Sequence, residues 1–190
     1  MSPREDYAVV GRPGQGAATR SRIVRVAADL FAKRGFAGTA IDDIADASAV
    51  SKGTVYHYFS DKQELFGEVY ACAWAQAGRA LDEAHAPATL AAGVEAILGA
   101  AATNSAPLRA LSAVADQALG ATRRRYIERD FCATLLRRAL SGDRPGCRDS
   151  QFVEVAMDLV ADLIHDALRS APEVGADADV IAWLVDGLSR

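Results

Sequence analysis

The chain has 190 residues, 51% hydrophobic and 24% charged, with a formal net charge of −4. That length can bury a core without disulfides or metal, and 40 alanines against 21 Gly and Pro exclude collagen-like and disordered classes and favour an all-α fold. Glu95, Asn104, Pro107 and Arg109 break the Ala-rich stretch from Leu90 to Leu111, which excludes a membrane span; the acidic Met-Ser-Pro-Arg-Glu-Asp start is no secretory signal, and Cys72, Cys132 and Cys147 are too scattered for a disulfide framework or a metal site, so a cytoplasmic protein with reduced thiols is expected.

Residues 1–16 end in Gly11-Arg12-Pro13-Gly14-Gln15-Gly16, lack periodicity and are expected to form a flexible basic arm. Arg12 could enter a narrow minor groove, where negative potential is enhanced; a disordered tail is the plainer reading. Ile23, Val26, Ala27, Leu30 and Phe31 then recur at helical spacing, predicting an amphipathic helix stopped by Gly35. From Val10 to Arg34 six cations face one anion, whereas from Ala71 onward 12 cations face 16 anions. A basic end on an acidic body suits a nucleic-acid contact at that end, although a solvated helix face would give the same count.

A short helix follows from Ile41 to about Ala47, with Thr39 expected as its N-cap three residues before Asp42. Ser48-Ala49-Val50 makes a tight turn, and Ser51 opens a second short helix through Tyr58. From Asp61, its expected cap, a long helix runs toward Ala84 with Leu65, Phe66, Val69, Tyr70, Ala73, Trp74 and Ala77 on its apolar stripe. Further helices are expected at 88–104, 107–119, 121–141, 149–171 and 177–189, about nine in all, and no alternating strand pattern occurs.

Two short helices joined by a three-residue turn, behind a basic amphipathic helix, are the layout of a helix-turn-helix DNA reader. The second short helix carries Ser51, Lys52, Gly53, Thr54, Tyr56, His57 and Tyr58 and has no carboxylate. Hydroxyls, a cation and an imidazole can bond phosphates or base edges, whereas carboxylates would be repelled. Gly53 costs about 1 kcal/mol against Ala inside a helix, a cost that makes sense where the backbone must approach DNA closely.

The pattern Ile23-x3-Ala27-x2-Leu30-Phe31-x3-Gly35-Phe36-x2-Thr39-x-Ile41-x2-Ile44-Ala45, then Val50-Ser51-Lys52-Gly53-Thr54-Val55-Tyr56-His57-Tyr58-Phe59-x2-Lys62-x2-Leu65, resembles the tetracycline-repressor (TetR) family over about 45 residues. The resemblance implies a helix-turn-helix DNA-binding domain at 17–64 and a helical ligand-binding and dimerisation domain at 65–190. It places Ser51 to Tyr58 in the major groove, Tyr56 and His57 on bases or phosphates, and Thr39, Tyr58 and Lys62 on the DNA backbone. The chain departs from the family in having Ala49 where Gly is usual in the turn, and Ala40 where Ser or Thr is usual. Ala49 would be strained if the turn needs a positive φ.

The implied function is a transcriptional regulator, a repressor, that binds a palindromic operator as a homodimer and is released by a small-molecule effector. Two recognition helices about 34–36 Å apart would read the two half-sites. Tyr70, Trp74, Tyr126, Phe131 and His165 are the candidate effector-pocket residues; an exposed ion pair or an interface position is the alternative for His165, near Asp162 and Asp166. Arg123-Arg124-Arg125 with Arg129 reads as a solvated face paired to Glu128 and Asp130. Phe152, Val155, Leu159 and Leu163, with Val180, Leu184 and Leu188, are the candidate dimer interface, or else intramolecular core.

Enzymatic readings fail on their motifs, so no catalytic residue, cofactor or metal is expected. Gly11-x2-Gly14-x-Gly16 follows no strand and lacks the Gly-Lys-Ser/Thr of a P-loop, and the three histidines at 57, 85 and 165 make no catalytic or zinc grouping. A helical adaptor, or a helical small-molecule-binding protein without DNA binding, is the alternative; it leaves the carboxylate-free helix unexplained.

Overall fold

A computed structural model describes residues 15–83 and 106–140, together with helical residues at 158, 161, 162, 164–166, 168 and 169. Among these residues every regular element is a helix: α1 (Gln15–Arg34), α2 (Ile41–Ala47), α3 (Lys52–Tyr58), α4 (Lys62–Glu83), α5 (Ala106–Leu119) and α6 (Ala121–Leu140). The all-α expectation holds. The helices expected at 88–104 and 177–189, the arm through residue 14, and all seven candidate interface residues lie outside the described residues. No helix described is long and apolar enough to cross a membrane.

The apolar stripe of α1 buries Ile23, Ala27 and Phe31 completely, and Gly35 ends the helix with φ +71° while its N–H donates to Phe31 O at 2.9 Å. The helix begins at Gln15, inside the stretch expected to be arm. Helix α2 packs on α1 and α3 through Ile41, Ile44 and Ala45, and α3 returns Val55, with Phe59 just beyond it, to the same core.

The cap of α2 differs from expectation. Ala40, extended at φ −92° and ψ 155°, is the N-cap, and its N–H donates to the Asp43 carboxylate at 3.1 Å. Thr39 is instead drawn inward, where its hydroxyl lies 2.9 Å from Gly35 O and 3.3 Å from Leu30 O at the end of α1. Asp61 does cap α4, accepting from Glu64 N–H at 2.7 Å. The three-residue turn places Ala49 at φ +52°, the conformation for which Gly is the unstrained residue.

Helix α4 packs against α1, α5 and α6, and α1 also packs on α5, so the first three helices rest on the body through a shared core. A line of rings follows α4 through that core. Phe36 meets Phe66 edge-on at 5.4 Å, Phe66 stacks on Tyr70 at 6.1 Å, Tyr70 meets Trp74 at 6.1 Å, and Trp74 meets Phe131 of α6 at 5.0 Å.

Candidate nucleic-acid interface

Helix α3 is only two turns long and buries one residue, Val55. Ser51 sets its start: the hydroxyl accepts from Thr54 N–H at 3.0 Å and shares a 2.8 Å hydrogen bond with the Thr54 hydroxyl. With Val55 and Phe59 anchoring the inner side, Ser51, Lys52, Gly53, Tyr56 and His57 are exposed, and Thr54 and Tyr58 are half-buried. Tyr56 is 47% exposed, so its ring and hydroxyl are open at the surface of α3. His57 lies edge-on to Tyr58 at 5.0 Å.

Gly53 has no internal cause. A Cβ built there would meet nothing closer than Ser51 Oγ at 3.7 Å, an ordinary contact, so the protein itself would accept a side chain. Nothing in the chain's own packing therefore requires glycine at this position.

Two expected DNA contacts turn inward. Thr39 is 1% exposed with its hydroxyl held by α1 carbonyls. The Lys62 ammonium donates to Phe36 O at 2.9 Å and Thr39 O at 3.0 Å and sits 4.3 Å above the Phe36 ring, tying the α1–α2 connection to the start of α4. Lys52 points outward but is already paired, its ammonium 2.9 Å from Asp42 of α2, whose hydrogen bond keeps it charged above the usual lysine range. Arg12 lies outside the described residues.

The candidate pocket residues divide differently. Tyr70, Trp74, Phe131 and His165 are buried, but Tyr126 is 78% exposed on the opposite side of α6. What gathers Tyr70 and His165 is a residue expected at the surface, Glu128, which is fully buried. Its carboxylate accepts from Tyr70 Oη at 2.5 Å and from Arg124, and lies 3.1 Å from His165 Nδ1.

Arg124, 4% exposed, hands each guanidinium nitrogen to a different acid: Nε to Asp116 at 2.7 Å, one terminal nitrogen to Glu128, the other to Asp162 at 2.9 Å. Burial opposes its charge, but the hydrogen bonds to Asp162 and Asp116 and the charge of Glu128 outweigh that and hold it above the usual arginine range. Asp116 and Asp162 are correspondingly held below the usual carboxylate range by Arg124 against the opposing effect of burial. Burial and Glu128 push the Tyr70 phenol well above its ordinary value. The solvated Arg123–Arg125 face is thus corrected at its central residue. The signal was present: 124, 127, 128 and 131 fall at i, i+3, i+4 and i+7 with Ile127 and Phe131, so an opposite-charge pair sits on an otherwise apolar stripe. Among the described residues no group of acids, histidines and cysteines could hold a metal ion.

Residues 23–69 match the family described as bacterial regulatory proteins, tetR family. The chain is 39% identical over 57 residues to the HTH-type transcriptional repressor KstR2 of Mycolicibacterium smegmatis, a match covering 30% of this chain and 28% of that repressor. Its fold is similar to Salmonella enterica GusR, with a TM-score of 0.62 at 22% identity over 94% of this chain and 97% of that one. It is also similar to a tetR-family transcriptional regulator from Streptomyces coelicolor, with a TM-score of 0.61 at 21% identity over 87% and 78% of the two chains. The family match runs from α1 into the start of α4, whereas the likeness in fold covers most of the chain. Residues 23–69 thus carry the sequence pattern of the tetR family of bacterial regulatory proteins, on a chain whose fold is similar to that of solved tetR-family regulators.

Proposed function

We propose that the chain is a cytoplasmic DNA-binding transcriptional repressor that reads a palindromic operator as a homodimer. The observation that carries the reading is α3: a helix with no carboxylate, an exposed Tyr56 and a glycine that the protein's own packing does not require. In the major groove Gly53 would permit close approach of the backbone, Tyr56 and His57 would meet base edges or phosphates, and Ser51, Thr54 and Tyr58 would flank them with hydroxyls. Lys52 would neutralise a phosphate. Thr39 and Lys62 act as positioning residues, fixing the α1–α2 connection on which α2 and α3 hang. The KstR2 relative is a repressor by name, which supports repression here.

The body, 65–190, takes the effector-binding and dimerising role in this proposal. A small molecule reaching the Tyr70, Trp74 and Phe131 end of the ring line would move α4, whose other end carries Lys62 and the turn it holds. Release requires that the molecule prefer a conformation in which the two reading helices no longer fit their half-sites, and DNA must then weaken its binding by the same factor.

The test is a duplex selected by the purified chain from a random pool, followed by footprinting and fluorescence anisotropy. A protected palindrome with two protomers per site is the expected result. Recovery of no preferred sequence would sink the proposal.

A further inference from the structure

Asp42 of α2 is committed to the lysine of the reading helix. Asp42 and Lys52 meet at 2.9 Å although both remain mostly exposed, 63% and 53%. The neighbouring Asp43 is engaged elsewhere, accepting from Ala40 N–H and lying 3.6 Å from Arg34. Stability does not account for the Asp42 pair, because solvent-exposed ion pairs contribute only about 0–1 kcal/mol. Nor is Lys52 one cation among many on its helix: α3 has no other lysine or arginine.

A carboxylate and a phosphate offer an ammonium the same kind of partner, so one can substitute for the other. We propose that Asp42 is a built-in competitor of DNA phosphate for Lys52, setting how strongly the reading head holds any duplex. The inference rests on α3 being the DNA-reading helix. Before Lys52 can neutralise a phosphate it must leave Asp42, and Asp42 then stays near the strand as an uncompensated negative charge. Both effects weaken the sequence-independent part of binding, the part that is supplied by phosphate contacts and counterion release. A regulator with this device is retained less on bulk DNA and responds less steeply to salt than its cation count would imply.

The experiment is fluorescence anisotropy of the full chain, wild type and Asp42→Asn, on a random duplex and on the duplex the wild type selects from a random pool, each across a salt series. Asp42→Asn should tighten binding to both duplexes by about three- to tenfold near 0.1 M salt and steepen the slope of log K against log salt by about one. In a Lys52→Ala background the same substitution should gain less, because no ammonium is left to release and only the repulsion between Asp42 and the strand is relieved. Unchanged affinity and slope in Asp42→Asn overturns the inference. So does weaker binding to the selected duplex with the random duplex unaffected, since that outcome makes Asp42 a residue that positions Lys52 for a base. Failure of the wild-type chain to bind either duplex overturns the DNA reading itself, and with it this inference.

Discussion

The reading head and the body handle charge in opposite ways. In α1 to α3 the core is apolar, and the ion pairs Lys33–Asp29, Arg34–Asp43 and Lys52–Asp42 lie outside it. In the body Glu128, Arg124 and His165 are buried among α4, α5, α6 and the 158–169 segment, at 0 to 4% exposure. Exposed pairs can be exchanged for other partners at little cost, which suits the surface proposed to accept DNA. Buried ones fix their neighbours, because removing either member leaves an uncompensated charge out of water. The head is built to trade its charges and the body to keep them.

The strongest way to break that contrast is Glu128→Ala. It strips Tyr70 Oη of its charged acceptor, leaves Arg124 buried with two partly exposed acids, and takes away the carboxylate beside His165 Nδ1. A loss of about 3–5 kcal/mol in urea unfolding is expected, a large part of the 5–15 kcal/mol typical of a whole domain. A loss below about 1 kcal/mol would mean that the network is solvated and the contrast false. The same network sets the acid limit. Arg124 depresses Asp116 and Asp162, so the stability they contribute is fully present above the ordinary carboxylate value of about 4 and is lost as pH falls through their lowered folded values. Unfolding free energy should therefore fall more shallowly below about pH 4 in Arg124→Met than in the wild type.

Tyr70→Phe probes one link of the network. Glu128 loses a buried hydrogen-bond donor while the ring keeps its place between Phe66 and Trp74, so a cost of about 1–3 kcal/mol is expected. Tyr56→Ala is the counterpart in the head. It should leave stability within about 0.5 kcal/mol, as surface substitutions do, yet remove about 1–3 kcal/mol of binding to the selected duplex. If Tyr56→Ala unfolds the chain, or leaves operator affinity intact, the head is not the freely exchangeable surface described above.

The same contrast explains what could be read from the sequence. In the head, function is written locally: Val55 and Phe59 are four residues apart, Ser51 caps Thr54 at three, and Gly35 ends its own helix, so spacing alone located α1, α2, α3 and the outward residues of α3. What failed there was direction. Thr39 and Lys62 have the chemistry of phosphate contacts, but backbone carbonyls 4 and 23 to 26 residues away claim them, and only the closed fold brings the more distant ones near. In the body the partners of Glu128 lie 58 residues away at Tyr70 and 37 at His165, and no periodicity connects those positions. Charge on a helix was read as solvent exposure because the acids that compensate Arg124 come from three separate elements.

The smallest expected effect lies at the hinge of the head. Ala49 holds φ +52°, a left-handed conformation that brings its Cβ too close to backbone oxygen, yet the residue is exposed and no packing fixes it as alanine. Glycine removes the clash but adds freedom to the unfolded chain, and the two effects oppose one another. Relief of the left-handed strain is worth about 1–2 kcal/mol and the added entropy about 0.5–1 kcal/mol, so Ala49→Gly should stabilise by about 0–1.5 kcal/mol. Each kcal/mol gained raises Tm by roughly 2–4 °C for a chain of this size. Operator affinity should be unchanged, because Val50 N–H donates to Ala45 O and Ser48 N–H to Ile44 O whichever residue stands between them. A fall in affinity alongside the rise in Tm would mean that Ala49 restrains the angle between α2 and α3, and that part of the reading geometry is stored as backbone strain.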